Sequence, residues 1–220
     1  MSEKQERVVI IGAGGMGGVY FDVLDEMNVY EVIGFIDDDP KKHGKNYYDI
    51  PILGGVSDMP SLKEKHQIHG FIISIGNNRL RGKMGSYLEN LGLKPVNAVH
   101  PRAAISRYST YGNGVLIEAG VGINPHTTIG NHAMISLSAS IGHDVVIGDC
   151  VHIAPNVVIG GEAKLGDYVD VGLGATINPT LVVGEGAVLG AGAAVVKDVP
   201  KNIVVVGVPA QKLKDVVNED

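Results

Sequence analysis

The chain has 220 residues, of which 31 are glycine, three Phe, eight Tyr and none Trp. Its 45% hydrophobic content and mean hydropathy of +0.15 exclude a disordered polymer, whose mark is low hydrophobicity. No apolar run reaches the roughly eighteen residues of a membrane span, and a net charge of −6 argues against a nucleic-acid surface.

The polar residues 2–7, followed by an apolar stretch that breaks at Gly12, argue against a signal peptide. Residues 7–11 form a short apolar run ending in glycines, which suits a buried parallel strand. Residues 18–28 suit a helix, with Val19, Val23, Leu24 and Met27 spaced for one face. Residues 31–36 read as a second strand ending at Asp37-Asp38-Asp39-Pro40, and residues 71–75 as a third. Gly76-Asn77-Asn78 then leads into a helix over roughly 79–91. This alternation implies a small Rossmann-like parallel α/β sheet. The loops 12–17, 37–39 and 76–79 fall at the carboxyl ends of its strands, where such sheets bind ligands. Gly12-Ala-Gly14-Gly15-Met16-Gly17 also fits G-x-G-x-x-G, with Asp37 closing the second strand, so an NAD-binding oxidoreductase is a rival reading. The same loop serves the phosphates of a nucleotide sugar equally well.

Beyond His100-Pro101-Arg102 the composition changes. Only Tyr108, Tyr111 and Tyr168 remain of the aromatics, and between 105 and 196 the only cations are Arg107 and Lys164. Two domains are therefore expected, 1–100 and 101–220. From Ile105 to Val195 every sixth residue is Ile, Leu or Val, Tyr111 excepted, and glycine often follows. A helix would need a spacing near 3.6 and would not tolerate this glycine density. A hexapeptide period marks a β-helical solenoid, here the left-handed parallel β-helix, a three-sided prism of about five coils. Each aliphatic is expected to point inward and each following glycine to permit the turn. So narrow a core leaves no room for Trp or Phe.

The prism holds His126, His132, His143 and His152. Residues eighteen apart stack about 4.8 Å apart, which places Asp144 beside His126 and Asp170 beside His152. Several segments together resemble the bacterial sugar O- and N-acetyltransferases, a family of hexapeptide-repeat acyltransferases. They are Ile11-Gly-Ala-Gly-Gly15, Phe35-Ile-Asp-Asp38, Ile75-Gly-Asn-Asn78, Gly142-His-Asp144, His152-Ile-Ala-Pro155 and Val206-Gly-Val-Pro-Ala210. The family includes sialic acid O-acetyltransferases and N-acetyltransferases of nucleotide-linked 4-amino sugars. The resemblance implies that His143 is a general base, supported by Asp144, and that His152 contacts acetyl-CoA. It places Leu173 and Ala191 along the CoA groove. Gly14, Gly15, Met16, Asp37, Asp38 and Arg79 then face the sugar nucleotide. It also implies a cytoplasmic homotrimer with active sites between subunits.

The chemistry suits these residues. Acetyl transfer requires the attacking amine or hydroxyl to lose a proton, and a neutral imidazole beside a carboxylate is matched to that task. Direct transfer is expected rather than an acyl intermediate on Cys150, the single cysteine, whose presence alone fits a reducing cytoplasm. No metal is required. Lys197 and Lys201, with Lys212 and Lys214, are expected to help hold the CoA phosphates. Two positions depart from the family pattern: Met16 stands where histidine is common, and Ser136-Leu137 where an Asn-Thr pair is. Acetylation of the amino group of a nucleotide-activated 4-amino-4,6-dideoxy sugar is the leading reading, with O-acetylation of a sialic acid-like sugar as the alternative. A γ-carbonic-anhydrase-like zinc site and a non-catalytic scaffold are the remaining rivals.

Overall fold

The computed structural model describes residues 5–216; the first residues of the polar leader, 2–4, lie outside them. The chain divides into two compact units, Met1–Pro101 and Arg102–Asp220.

In the first unit the apolar runs become strands buried on both sides. In chain order the elements are β1 (Glu6–Ile11), α1 (Gly15–Met27), β2 (Tyr30–Ile36), β3 (Asn46–Tyr47), β4 (Ile50–Gly54), α2 (Met59–His66), β5 (Gly70–Ile73), α3 (Asn78–Asn90) and β6 (Lys94–Pro95). The sheet order is β3-β4-β2-β1-β5-β6, parallel except for the β3–β4 hairpin. Val9, Ile11, Ile36, Phe71 and Ile73 of the strands pack against Met59 and Leu62 of α2 and Leu88 of α3. The helix expected over 18–28 begins earlier, at Gly15, directly on the glycine loop, and stops at Asn28 with φ 52°, a left-handed position that Asn tolerates. The side chain of Asn77 caps α3 by accepting from the backbone of Leu80 at 2.9 Å. Sequence reasoning missed the β3–β4 hairpin because its turn is Tyr48-Asp49, with φ of 51° and 61°, instead of the Asn-Gly pair that usually signals it.

The second unit is a prism of two-residue parallel strands on three faces. Successive coils pair eighteen residues apart, as Ile123 with Ile141, Ile129 with Ile147 and Ile135 with Ile153. The inward aliphatics Ile135, Ile141 and Ile153 are fully buried, whereas Tyr111 in the first coil is 40% exposed and breaks the inward rule. At the far end Ile203–Val206 continues one face, and Gln211–Asp215 pairs with it antiparallel, which occupies an otherwise open sheet edge.

The glycines do not act as expected. The left-handed corner residue stands three positions after the aliphatic, and it is more often a residue with a side chain (His126, His132, Ser138, Asp144, Cys150, Asn156, Glu162, Tyr168 or Thr180) than glycine. The glycine directly after the aliphatic instead lets adjacent coils approach. A Cβ at Gly142 would stand 2.5 Å from the backbone nitrogen of Gly161, and one at Gly148 2.7 Å from that of Asp167. At that position the hexad needs space, not turn freedom.

Candidate active site

His143 and Asp144 occupy the corner between strands Ser140–Ile141 and Val146–Ile147. The left-handed conformation of Asp144, φ 56°, turns its carboxylate toward its neighbour. His143 Nδ1 and Asp144 Oδ2 are 2.8 Å apart, with side chains 60% and 52% exposed. Asp144 and His126 both take the left-handed corner position on successive coils, but the carboxylate of Asp144 bonds to His143. The imidazole lies over Gly161 of the next coil, where a Cβ would come within 2.8 Å of Nε2. A carboxylate accepting from Nδ1–H leaves Nε2 as the basic nitrogen, so this solvent-facing corner presents a proton acceptor.

The second pair behaves as the stacking rule expects. His152 and Asp170 are register partners on adjacent coils, with Nδ1 and Oδ1 3.0 Å apart. Leu173 and Ala191 sit on adjacent coils of one corner, joined by Gly192 N–H donating to the Leu173 carbonyl at 2.8 Å, and Leu173 is 58% exposed. The two histidine pairs are not brought together within one chain. His143 stands at the corner between the face of Ser140–Ile141 and that of Val146–Ile147, and His152 lies on the remaining face. At the capped end a cavity of about 260 Å³ is lined by Lys197 and Lys212 together with Val195, Pro200 and Gln211. Lys201 is exposed on the turn before Ile203 and does not line it.

In the first unit Gly14, Gly15 and Met16 open α1, and a Cβ at Gly14, Gly15 or Gly76 would meet nothing within 4 Å. Asp37 ties this loop down. Its carboxylate accepts from Ala13 N–H at 2.9 Å, Asp39 N–H at 3.0 Å and Lys42 Nζ at 2.8 Å. Lys42 also donates to the Ala13 carbonyl at 3.1 Å, and His43 Nε2 to the Asp37 carbonyl at 2.7 Å. Asp38 accepts from Val56 N–H at 2.8 Å, and Arg79 stands in the first turn of α3. Sequence reasoning missed Lys42 and His43, whose only signal was their place just after the acidic triplet.

Burial alone would raise the Asp37 pKa, but the bonds from Lys42, Asp39 and Ala13 outweigh it and hold the carboxyl below its ordinary value. A depressed folded-state pKa gives stability that is present above the unfolded pKa and lost as pH falls through the folded one. The Asp37→Asn variant should therefore lose stability at neutral pH, and its stability should fall less than the wild type's as pH drops below about 4. Denaturant unfolding at pH 7 and at pH 3 checks this; parallel losses in both proteins would contradict it.

His126 is exposed at a corner, while His132, Ser136 and Cys150 are buried. Among the described residues, no group of three or more His, Cys, Asp or Glu is placed to hold a metal ion.

The family model described as the PglD N-terminal domain matches residues 7–88. The UDP-N-acetylbacillosamine N-acetyltransferase of Bacillus subtilis (strain 168) is 29% identical over 119 residues, 52% of each chain, so the match spans about half of that relative's length. A histidine-to-asparagine mutant of perosamine N-acetyltransferase from Caulobacter crescentus, in complex with CoA and GDP-perosamine, is 33% identical. The match covers 98% of this chain and 100% of that one, at a TM-score of 0.91. The chain belongs to the bacterial sugar acetyltransferase family. A further member, the acetyltransferase domain of PglB from Neisseria gonorrhoeae FA1090 in complex with acetyl coenzyme A, is 27% identical. That match covers 96% of this chain and 100% of that domain, at a TM-score of 0.87. The shared left-handed β-helix and α/β unit extend over essentially the whole sugar acetyltransferase chain.

Proposed function

We propose that this protein transfers acetyl from acetyl-CoA to the amino group of a nucleotide-activated 4-amino-4,6-dideoxy sugar, with His143 as general base. The observation that carries this reading is the His143–Asp144 pair, 2.8 Å apart and open to solvent. Nε2 of His143 takes a proton as the neutral amine attacks the thioester carbonyl. The C–N bond forms, the C–S bond breaks, and CoA leaves as a thiolate that takes up a proton. Asp144 keeps Nδ1 protonated and stabilises the imidazolium as it forms.

His152 lies on a different face of the prism, so the sugar acetyltransferase site is completed when the His143 corner of one copy meets the His152 face of another. A closed threefold ring satisfies that heterologous contact. This supports a homotrimer in which His152, Leu173 and Ala191 hold acetyl-CoA from one subunit while His143 acts from its neighbour. Lys197 and Lys201 are assigned to the CoA phosphates, and Lys212 joins Lys197 by its place at the same cavity. Gly14, Gly15, Met16, Asp37, Asp38 and Arg79 are assigned to the nucleotide end of the acceptor, Asp37 by shaping the loop.

Acetyl-CoA consumption measured against UDP-, GDP- and dTDP-linked 4-amino-4,6-dideoxy sugars tests the reading. At least one should be turned over, with a product heavier by one acetyl group and linked as an amide. Turnover confined to sialic acid-like hydroxyl acceptors would replace it with O-acetylation.

A further inference from the structure

The corner that carries His143 continues toward the first coil. The positions eighteen and thirty-six residues before His143 are Pro125 and Arg107, and those before Asp144 are His126 and Tyr108. The coils are locked in register here. Asp144 N–H donates to the Pro125 carbonyl at 3.0 Å, and Glu162 N–H to the His143 carbonyl at 2.8 Å. The first coil is pinned by Ser109 Oγ, which donates to the Asn124 carbonyl at 2.7 Å.

On this ridge the Tyr108 and His126 rings stack, with centroids 6.0 Å apart and planes 29° from parallel. Arg107 lies over the Tyr108 ring at 4.8 Å, and its guanidinium donates to the Tyr108 hydroxyl at 2.6 Å. All three side chains face solvent, Tyr108 at 57% exposure. Two exposed rings and a guanidinium held by stacking and a hydrogen bond are pre-organised, which a solvated surface arginine is not.

The ridge is also polar along its length. Arg107 marks one end, and Asp144 and Glu162 mark the other, beside His143. Arg107 and Lys164 are the only cations between residues 105 and 196. From Arg107 to His143 is two coils, about 10 Å. In a 4-amino pyranose linked through its first carbon to a phosphate, roughly 6 Å separates the amine from the phosphorus, and the base stands about 3 Å beyond the amine. The charge order of such an acceptor matches the ridge, and its span of about 9 Å from phosphorus to base, with about 4 Å more to the guanidinium, lies within the two-coil spacing plus the reach of an arginine side chain.

We infer that Arg107, Tyr108 and His126 form the subsite for the sugar-phosphate end of the acceptor. Arg107 binds the phosphate attached to the sugar, and the Tyr108–His126 wall lies along the pyranose. Asp144 and Glu162 draw the amine to His143 in its ammonium form, which gives up one proton to solvent before the neutral amine attacks. The inference rests on the proposed reaction and adds a specificity determinant to it: the ridge selects amino sugars that carry a phosphate.

Steady-state kinetics of wild type, Arg107→Ala, Arg107→Lys and Tyr108→Ala test it. Each is assayed with UDP-, GDP- and dTDP-linked 4-amino-4,6-dideoxy sugars and with the same sugars as uncharged methyl glycosides. Arg107→Ala should raise KM for the nucleotide-linked acceptor about tenfold, leave KM for acetyl-CoA unchanged, and have no effect on the methyl glycoside. Arg107→Lys should recover part of the loss, and Tyr108→Ala should weaken both kinds of acceptor. An unchanged acceptor KM in Arg107→Ala overturns the inference and leaves the proposed reaction standing. So does an equal loss on the methyl glycoside, which would mean that Arg107 only holds the corner. A wild type that acetylates none of these amines overturns the proposed reaction and the inference with it.

Discussion

Replacing His143 with Ala should reduce kcat by about a thousandfold, in the range of losses expected for a general base, while the protein folds and unfolds as before. The side chain is 60% exposed, so its removal leaves no cavity and no buried polar group unsatisfied. Acetyl-CoA binding, measured calorimetrically, should change little, since the base acts on the acceptor. Asp144→Asn should give a smaller loss: the amide cannot stabilise the imidazolium as a carboxylate does, although it can still accept from Nδ1–H. Because His143 and His152 lie on different sides of one prism, mixed assemblies of His143→Ala and His152→Ala chains should regain activity. Their intact halves meet at some of the interfaces. Retained turnover in His143→Ala alone would remove the base assignment.

The largest effect on stability is expected from the prism core. Ile153 is fully buried, and it stacks between Ile135 on one coil and Val171 on the next. Ile153→Ala removes contacts with both neighbours and should cost about 3–4 kcal/mol. The same change at Ile105 should cost less than half as much, because Ile105 is only partly buried and pairs with a coil on one side, at Ile123. In a solenoid each repeat is stabilised chiefly through its neighbours, so the difference reads out position and not residue type. Thermal or denaturant unfolding of the two variants checks it; equal losses would contradict a nearest-neighbour core.

Both predictions draw on features that differ in how far the sequence reveals them. A six-residue period is visible in the chain because every face of the prism is the same length and needs one inward aliphatic. The eighteen-residue stacking that places Asp170 beside His152 follows from the period by arithmetic. The Gly-His-Asp segment was legible because its residues are adjacent in sequence, and a left-handed corner turns the carboxylate of Asp144 onto its neighbour. The parallel strands of the α/β unit were legible as unbroken apolar runs. The β3–β4 hairpin and α2 were not: one has an atypical turn pair, and the other is a short helix with few apolar residues.

The opposite holds for what depends on space. That Asp37 serves the glycine loop through Ala13, with Lys42 closing the network, was hidden because its partners are five to twenty-four residues away with no period to link them. The glycine after each aliphatic is needed for the approach of the next coil's backbone, a distance that no local rule encodes. The ridge of Arg107, Tyr108 and His126 gathers residues that are ordinary one by one and meaningful only when coils stack. Sequence by itself determined the two-part architecture, the prism period and the adjacency of His143 and Asp144, because each is a local or strictly periodic demand on the chain. Tertiary structure decided which histidine pairs with which carboxylate, which carboxylate orders a loop and which side chains gather along one corner. Those depend on how non-periodic segments and successive coils are brought together in three dimensions.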